Sequence, residues 1–207
     1  MDKVDLKKEW KPYYGPSAKT IGFVDVPTFS FLSIEGIDAR PDSPDFTGAI
    51  QALFSLSYKV KFASKKQLGR DYAVMPLEAL WWADDMDEFV NGNKEKWRWK
   101  LLIQQPEWID GDFIDSVRSG LKDADWEGGH LDRLALEEIT EGPSAQILYI
   151  GPFSEEGPTI ERLHEAIREE GGRIDPAVHK HHEIYLSDFR KTAPEKLRTV
   201  IRQSYAI

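Results

Sequence analysis

The feature that most constrains this chain is a weak but ordered internal repeat. FLSIEG at Phe31 matches ILYIGP at Ile147, and the apolar pair Ile50 and Leu53 matches Ile160 and Leu163. EALWWAD at Glu78 matches EIYLSDF after His182, and KEKWRWKLL matches PEKLRTVI, with Glu95, Lys96 and Arg98 answered by Glu195, Lys196 and Arg198. Four matches in one order, at offsets between 100 and 116 residues, indicate duplication of a unit, and such repeats are sought before any fold is named. Each copy reads strand, helix, strand, strand. The pseudo-repeats span about 27–105 and 130–207 and are joined by a connecting helix at about 106–127. Two such units form a single α+β domain, with antiparallel sheets, helices on one face and a ligand cleft between the halves.

Local patterns supply the elements. The stretch through Pro16 reads as an irregular arm, and TFSFLSIEG as a β-rich run. Behind the PDSPD turn, Phe46, Ile50, Leu53, Phe54, Ser57 and Lys61 fall at helical spacing, which predicts a helix of about four turns. YAVMPLEALWW reads as a strand whose Pro76 suits an edge or a bulge. Trp97, Trp99, Leu101 and Ile103 alternate as in a strand, and Phe113, Val117 and Leu121 recur every four residues in the connecting helix, which Trp126–Gly129 close. Leu131–Glu138 and AQILYIGPF read as two strands with EGPS turning the chain between them. Pro158 opens a helix that Gly171-Gly172 stop, and HHEIYLSDF is a strand. The final segment is locally ambiguous, since Thr192 and Glu195 fit a capping box while LRTVIRQS is β-rich; the repeat makes it a strand entered through a short turn.

Composition narrows function. The 27 Lys and Arg against 36 Asp and Glu leave a formal charge of −9, which lacks the basic footprint of a nucleic-acid binder. Cysteine is absent, which excludes disulfides, thiolate metal sites and a cysteine nucleophile. No apolar run approaches the roughly 20 residues of a membrane span, and the start lacks a secretory apolar region, so the chain reads as soluble and cytoplasmic, with neither nucleic acid nor membrane as partner. GxSxG, Walker, GxGxxG and HExxH motifs are missing. Seven Trp, seven Tyr and ten Phe serve mainly a core, yet a Trp and Tyr cluster also lines pockets for flat organic ligands.

The repeat places Glu78 and Glu183 at equivalent points of equivalent strands. A carboxylate on an apolar strand either faces water or occupies a pocket where its charge has a use. Burial would raise its pKa and suit it to accept a proton or to pair with an organic cation. Trp82 shares the face of Glu78 if the strand runs unbroken, and one of Trp81 and Trp82 packs in the core. Tyr149 and Tyr185 are candidate hydroxyls, and Trp99, Trp108, Phe54 and Tyr58 candidate walls, each also a natural core residue. In HKHHE, alternation puts His179, His181 and Glu183 on one face, but no second liganding cluster converges, so no metal and no cofactor are expected. His164 reads as a packing residue. The acidic run ADDMDE and the basic pairs of ASKKQLGR read as solvated turns.

Taken together, YAVMPLEALWW, LLIQQPEWIDGDFIDSVRSGL, QILYIGPFSEEGPTIERLHEAI and, most specifically, HHEIYLSD followed by TAPEKLRTVIR resemble the GyrI-like (gyrase-inhibitor-like) small-molecule-binding family in its stand-alone branch. The resemblance runs from about Pro27 onward. It implies tandem strand–helix–strand–strand units around a ligand cleft, and a glutamate at the position of Glu183 that meets cationic aromatic drugs in multidrug-responsive regulators. Some stand-alone members are hydrolases that open the cyclopropane ring of genotoxic natural products. The resemblance thus implies that Glu183 is the acid at the cleft floor and that Tyr149, Tyr185, Trp82 and Trp99 form walls; if the chain is such a hydrolase, Glu183 orients or deprotonates a water and the hydroxyl of Tyr149 or Tyr185 bonds the substrate carbonyl. Its alternative is a non-catalytic module that binds or senses hydrophobic, often cationic, aromatic drugs. Phe189 and Ser204 stand where proline is common in relatives, and both lie at turns or strand ends. No segment suited to a helix-turn-helix precedes Pro27, so transcriptional regulation by this chain alone is not expected.

Overall fold

The computed structural model describes residues 3–84, 92–122 and 130–207. In chain order the principal elements are α1 (Leu6–Glu9), α2 (Lys11–Tyr14), β1 (Gly22–Ile37), α3 (Pro44–Ala63), β2 (Glu78–Trp82), β3 (Arg98–Gln105), α4 (Gly111–Lys122), β4 (Ala135–Ile150), α5 (Gly157–Glu169), β5 (His181–Tyr185) and β6 (Arg198–Ser204). Strand, helix, strand and strand thus recur in the expected order. Even the short 3-10 turns before the last strand of each copy correspond, at Lys94–Lys96 and Pro194–Lys196.

Contacts divide the chain into two compact units. The first comprises Met1–Glu9, Phe29–Met75 and Ala83–Ile139; the second comprises Trp10–Thr28, Pro76–Trp82 and Thr140–Ile207. These boundaries cut across the sequence repeat. β2, which belongs to the first copy by sequence, pairs antiparallel with β5 from Glu78↔Ile184 to Trp81↔His181, and so joins the second unit.

In the first unit β1 pairs antiparallel with β3, from Ser30↔Gln105 to Ile37↔Arg98. α3 buries Ile50, Leu53, Leu56 and Val60 at intervals of three and four residues, which is the helical stripe the sequence predicts. Lys61 ends that stripe and is buried because its Nζ lies 2.7 Å from Asp71 Oδ1. α3 is longer than four turns: it runs on into a π turn over Ser64–Leu68 and stops at Gly69, whose φ of 67° is left-handed. The basic pairs of ASKKQLGR therefore lie on helical backbone.

The second unit is a sheet in the order β2-β5-β6-β4 with all three pairings antiparallel. α5 covers one face, where Leu163 and Ile167 pack on Ala145, Ile147 and Ile201. On the other face, residues 10–17 with α2 are tied down by hydrogen bonds from Tyr14 to Glu78, from Gln146 to the Pro12 carbonyl and from Arg202 to the Tyr13 carbonyl. The EGPS segment does not turn the chain: β4 is one strand of 16 residues, and Gly142, with φ of 64°, accommodates a local distortion within it. The strand at Glu78 likewise begins only after Pro76. Trp126–Gly129 and the latter part of ADDMDE lie outside the described residues.

Candidate functional site

Strand alternation on β5 sends His181, Glu183 and Tyr185 to the face that carries α5, and His182 and Ile184 to the face under the arm. Register extends each set across the sheet. Glu183 stands opposite Ala79 and Ile201, and Tyr185 stands in a row with Thr199 and Tyr149.

On the α5 face Glu183 is 7% exposed. His181 Nε2 lies 3.1 Å from its Oε1, and the Tyr185 hydroxyl donates to its Oε2 at 2.7 Å. Trp81 Nε1 donates to the Tyr185 oxygen at 3.2 Å. Because an indole N–H can only donate, the chain of hydrogens runs from Trp81 to Tyr185 to Glu183, and the carboxylate is its acceptor. Burial pushes Glu183 upward, but the hydrogen bond and charge of His181, with hydrogen bonds from Tyr185 and Glu156, outweigh it and hold Glu183 below the ordinary glutamate value. The rise expected from burial alone is thus reversed, and the reason is His181. Tyr185 is pushed well above the usual tyrosine range by burial and by the charge of Glu183, so it keeps its hydrogen. Tyr185, whose hydroxyl holds the carboxylate, is also one of three rings that meet edge to face: it lies 5.7 Å from Phe153 and 5.8 Å from Phe189, and those two are 6.3 Å apart. Tyr149 shares this face, and its hydroxyl donates to the Pro152 carbonyl at 3.0 Å.

On the opposite face Glu78 is fully buried, and the repeat's equivalence of Glu78 and Glu183 does not extend to environment. Tyr14 donates to Glu78 Oε1 at 2.7 Å and His182 Nε2 lies 3.0 Å from Oε2. The ion network continues from His182 Nδ1 to Glu141 Oε1 at 2.9 Å, and Arg202 donates to Glu141 Oε2 at 2.7 Å. Arg202 also donates to the Tyr13 carbonyl at 2.5 Å and to Gln146 Oε1 at 3.1 Å. Two carboxylates, a guanidinium and an imidazolium balance in charge. Desolvation pulls His182 down, but Glu141 and Glu78 raise it to about 9, while His182 and Arg202 hold Glu141 at about 2 against its own desolvation. The network pins the arm to the sheet.

The remaining candidates are distributed as follows. Trp81, not Trp82, joins the Glu183 cluster; the Trp82 ring stands 5.2 Å from Lys180 Nζ. Trp99, Trp108, Phe54 and Tyr58 belong to the first unit. Trp99 is fully buried against Phe46 at 5.4 Å, and a Cβ on Gly36 would overlap its ring. Trp108 bonds Ser64 Oγ at 3.2 Å with Tyr72 edge-on at 6.0 Å. Phe54 and Tyr58 stack at 6.4 Å, and Tyr58 is 49% exposed. The sequence does not single out His181, Phe153 or Phe189 for the site, and it leaves open which of Trp81 and Trp82 faces it; the structure selects Trp81. The period-2 pattern of HHEIY places His181 on the face of Glu183, the signal that offers it as a hydrogen-bonding neighbour and not only as a metal ligand. Among the described residues no group of three or more His, Asp or Glu is placed to hold a metal ion.

Residues 23–202 match the GyrI-like small molecule binding domain family, and the chain belongs to that family. No curated protein matches it. Among solved structures, an uncharacterized conserved protein from Listeria innocua is 32% identical with a TM-score of 0.91, covering 99% of this chain and 100% of the other. A hydrolase from Listeria innocua is also 32% identical, with a TM-score of 0.87 and the same coverage. The EcmrR C-terminal domain, 10% identical at a TM-score of 0.56 over 91% of this chain and 98% of the other, shares the fold alone. No described helix is long and apolar enough to cross a membrane.

Proposed function

We propose that this chain is a hydrolase that adds water to electrophilic, flat aromatic xenobiotics of the cyclopropanoid type and so protects the cell. The observation that carries the reading is Glu183: an ionised carboxylate, 7% exposed, with both oxygens fixed by His181 and by Tyr185, whose ring packs edge to face with Phe153 and Phe189. The likeness to a Listeria innocua hydrolase over nearly the whole chain supports the enzyme class.

In the proposed step Glu183 accepts a proton from water as a C–O bond forms at the methylene of the strained ring. The ring C–C bond breaks, its electrons pass to the substrate carbonyl oxygen, and that oxygen takes up a proton from solvent while Glu183 gives its own back to solvent, so the net change is the addition of one water. Held below the ordinary glutamate value, Glu183 is a weak base whose main service is to orient the water. Ring strain provides much of the driving force, so orientation suffices. Phe153, Tyr185 and Phe189 would stack on the substrate.

The depressed pKa of Glu183 also favours a second reading, a module that binds or senses aromatic cations, because a carboxylate that stays charged is a counter-ion. One experiment separates them. A duocarmycin-type cyclopropanoid incubated with the protein should gain the mass of one water. Unchanged compound at high protein concentration would remove the hydrolase reading.

A further inference from the structure

From Phe46 to Arg70 the sequence carries five cations and no carboxylate, in a chain whose formal charge is −9. Most of this stretch is α3 and the π turn that prolongs it. The inner stripe of α3 is apolar and buried. On its outer face Tyr58, Lys59, Phe62, Lys65 and Lys66 recur at helical spacing, all exposed, and Leu68 follows at the end of the π turn. Phe62 is 57% and Leu68 45% exposed, so large apolar side chains point outward among the lysines.

Asp71 joins a second basic segment to this face. Its carboxylate takes Lys61 Nζ at 2.7 Å and Lys65 Nζ at 3.0 Å, and its carbonyl accepts from the Val4 amide at 2.9 Å. The Ala73 amide donates to the Val4 carbonyl at 2.8 Å and Leu6 is buried, which holds exposed Lys3, Lys7 and Lys8 beside the end of α3. Residues 3–9 and 46–71 hold eight Lys or Arg against Asp5, Glu9 and Asp71, a net charge of +5 that the acidic whole conceals. All of them belong to the first unit.

We propose that this face docks the protein on an anionic membrane surface, with the lysines against lipid headgroups and Tyr58, Phe62 and Leu68 at the acyl boundary. A lysine-rich face interrupted by Phe and Leu is the composition of helices that lie in the membrane interface. Seven of the eight cations are Lys, whereas nucleic-acid recognition favours Arg. Docking of this kind needs no spanning helix, and none occurs among the described residues. Because α3 keeps its inner stripe in the core, only the outer face enters the headgroup layer, and binding is weak and salt-dependent.

The test is co-sedimentation of the full chain with phosphatidylcholine vesicles, alone or with about 30% phosphatidylserine, at low and at high salt. Wild type should sediment with the anionic vesicles at low salt, be released at high salt and ignore the neutral vesicles. Lys59→Glu with Lys66→Glu should weaken binding by about 25-fold or more, and Phe62→Ser, which leaves the charge unchanged, by about tenfold. Lys191→Glu with Lys196→Glu, exposed in the second unit and equal in charge change, should bind like wild type. These positions are exposed, so urea midpoints should stay near that of wild type. Absence of binding to the anionic vesicles, equal loss in the two double variants, or tighter binding of a single-stranded oligonucleotide than of the vesicles would overturn the proposal; the last outcome would assign the face to nucleic acid. No substrate enters this measurement, so its outcome is independent of the hydrolase reading.

Discussion

Carried from pH 6.5 to pH 9, the protein should lose about 3 kcal/mol of folding stability through one side chain, His182. Its imidazole is buried between Glu78 Oε2 and Glu141 Oε1, at 3.0 and 2.9 Å, and these carboxylates lift it from 6.5 to about 9. A folded value above the unfolded one means the contribution is complete below pH 6.5 and is lost as pH rises through 9. A rise from 6.5 to about 9 corresponds to about 3 kcal/mol, and stability should fall by about 1 kcal/mol per pH unit near pH 7.5 to 8.5. Urea unfolding at half-unit pH intervals measures this slope directly. His182→Gln should flatten it while lowering stability at pH 6.5 by about 3 to 5 kcal/mol, because Glu78 and Glu141 then share only Arg202 as a buried cation. A stability profile flat from pH 6.5 to 9, or a slope unchanged in His182→Gln, would refute the charged network.

On the acid side the sign reverses: Glu141, held at about 2, contributes stability that is present above pH 4.5 and lost as pH falls through 2, so Glu141→Gln should remove part of the acid-induced drop in urea midpoint. Tyr14→Phe leaves Glu78 Oε1 without its donor and should cost about 1 to 3 kcal/mol, with faster amide exchange in residues 10–17. Trp99→Ala should cost about 3 to 5 kcal/mol by chemical denaturation. Gly36→Ala should also destabilise, although it adds only a methyl group, because the Trp99 ring occupies that space.

The repeat made the fold readable where local propensity was silent. LRTVIRQS was ambiguous alone, and its match to RWKLL, which became β3, assigned it correctly to β6. EGPS misleads because Gly, Pro and Ser are turn residues in either setting, whereas β4 runs from Ala135 through them to the stretch that pairs Ser144–Ile150 with Arg198–Ser204. Alternation along HHEIY placed Glu183 and Tyr185 on one face. It could not reveal that Glu78 projects to the opposite face of the sheet, because that depends on the register of β2 against β5. Tyr14, 64 residues from Glu78, and Tyr13, 189 residues from Arg202, were read as an irregular arm since nothing local marks a long-range cap. The pKa of Glu183 was misjudged for a related reason: burial follows from apolar neighbours, whereas the offset from His181 depends on a side-chain contact of 3.1 Å.

The most direct test of the central claim is the rate at which wild type and Glu183→Gln hydrate a neutral cyclopropanoid under identical single-turnover conditions, followed by mass. The account predicts a fall of about 10²- to 10⁴-fold in the variant with substrate affinity little changed. Hydration by the variant at the wild-type rate would contradict it.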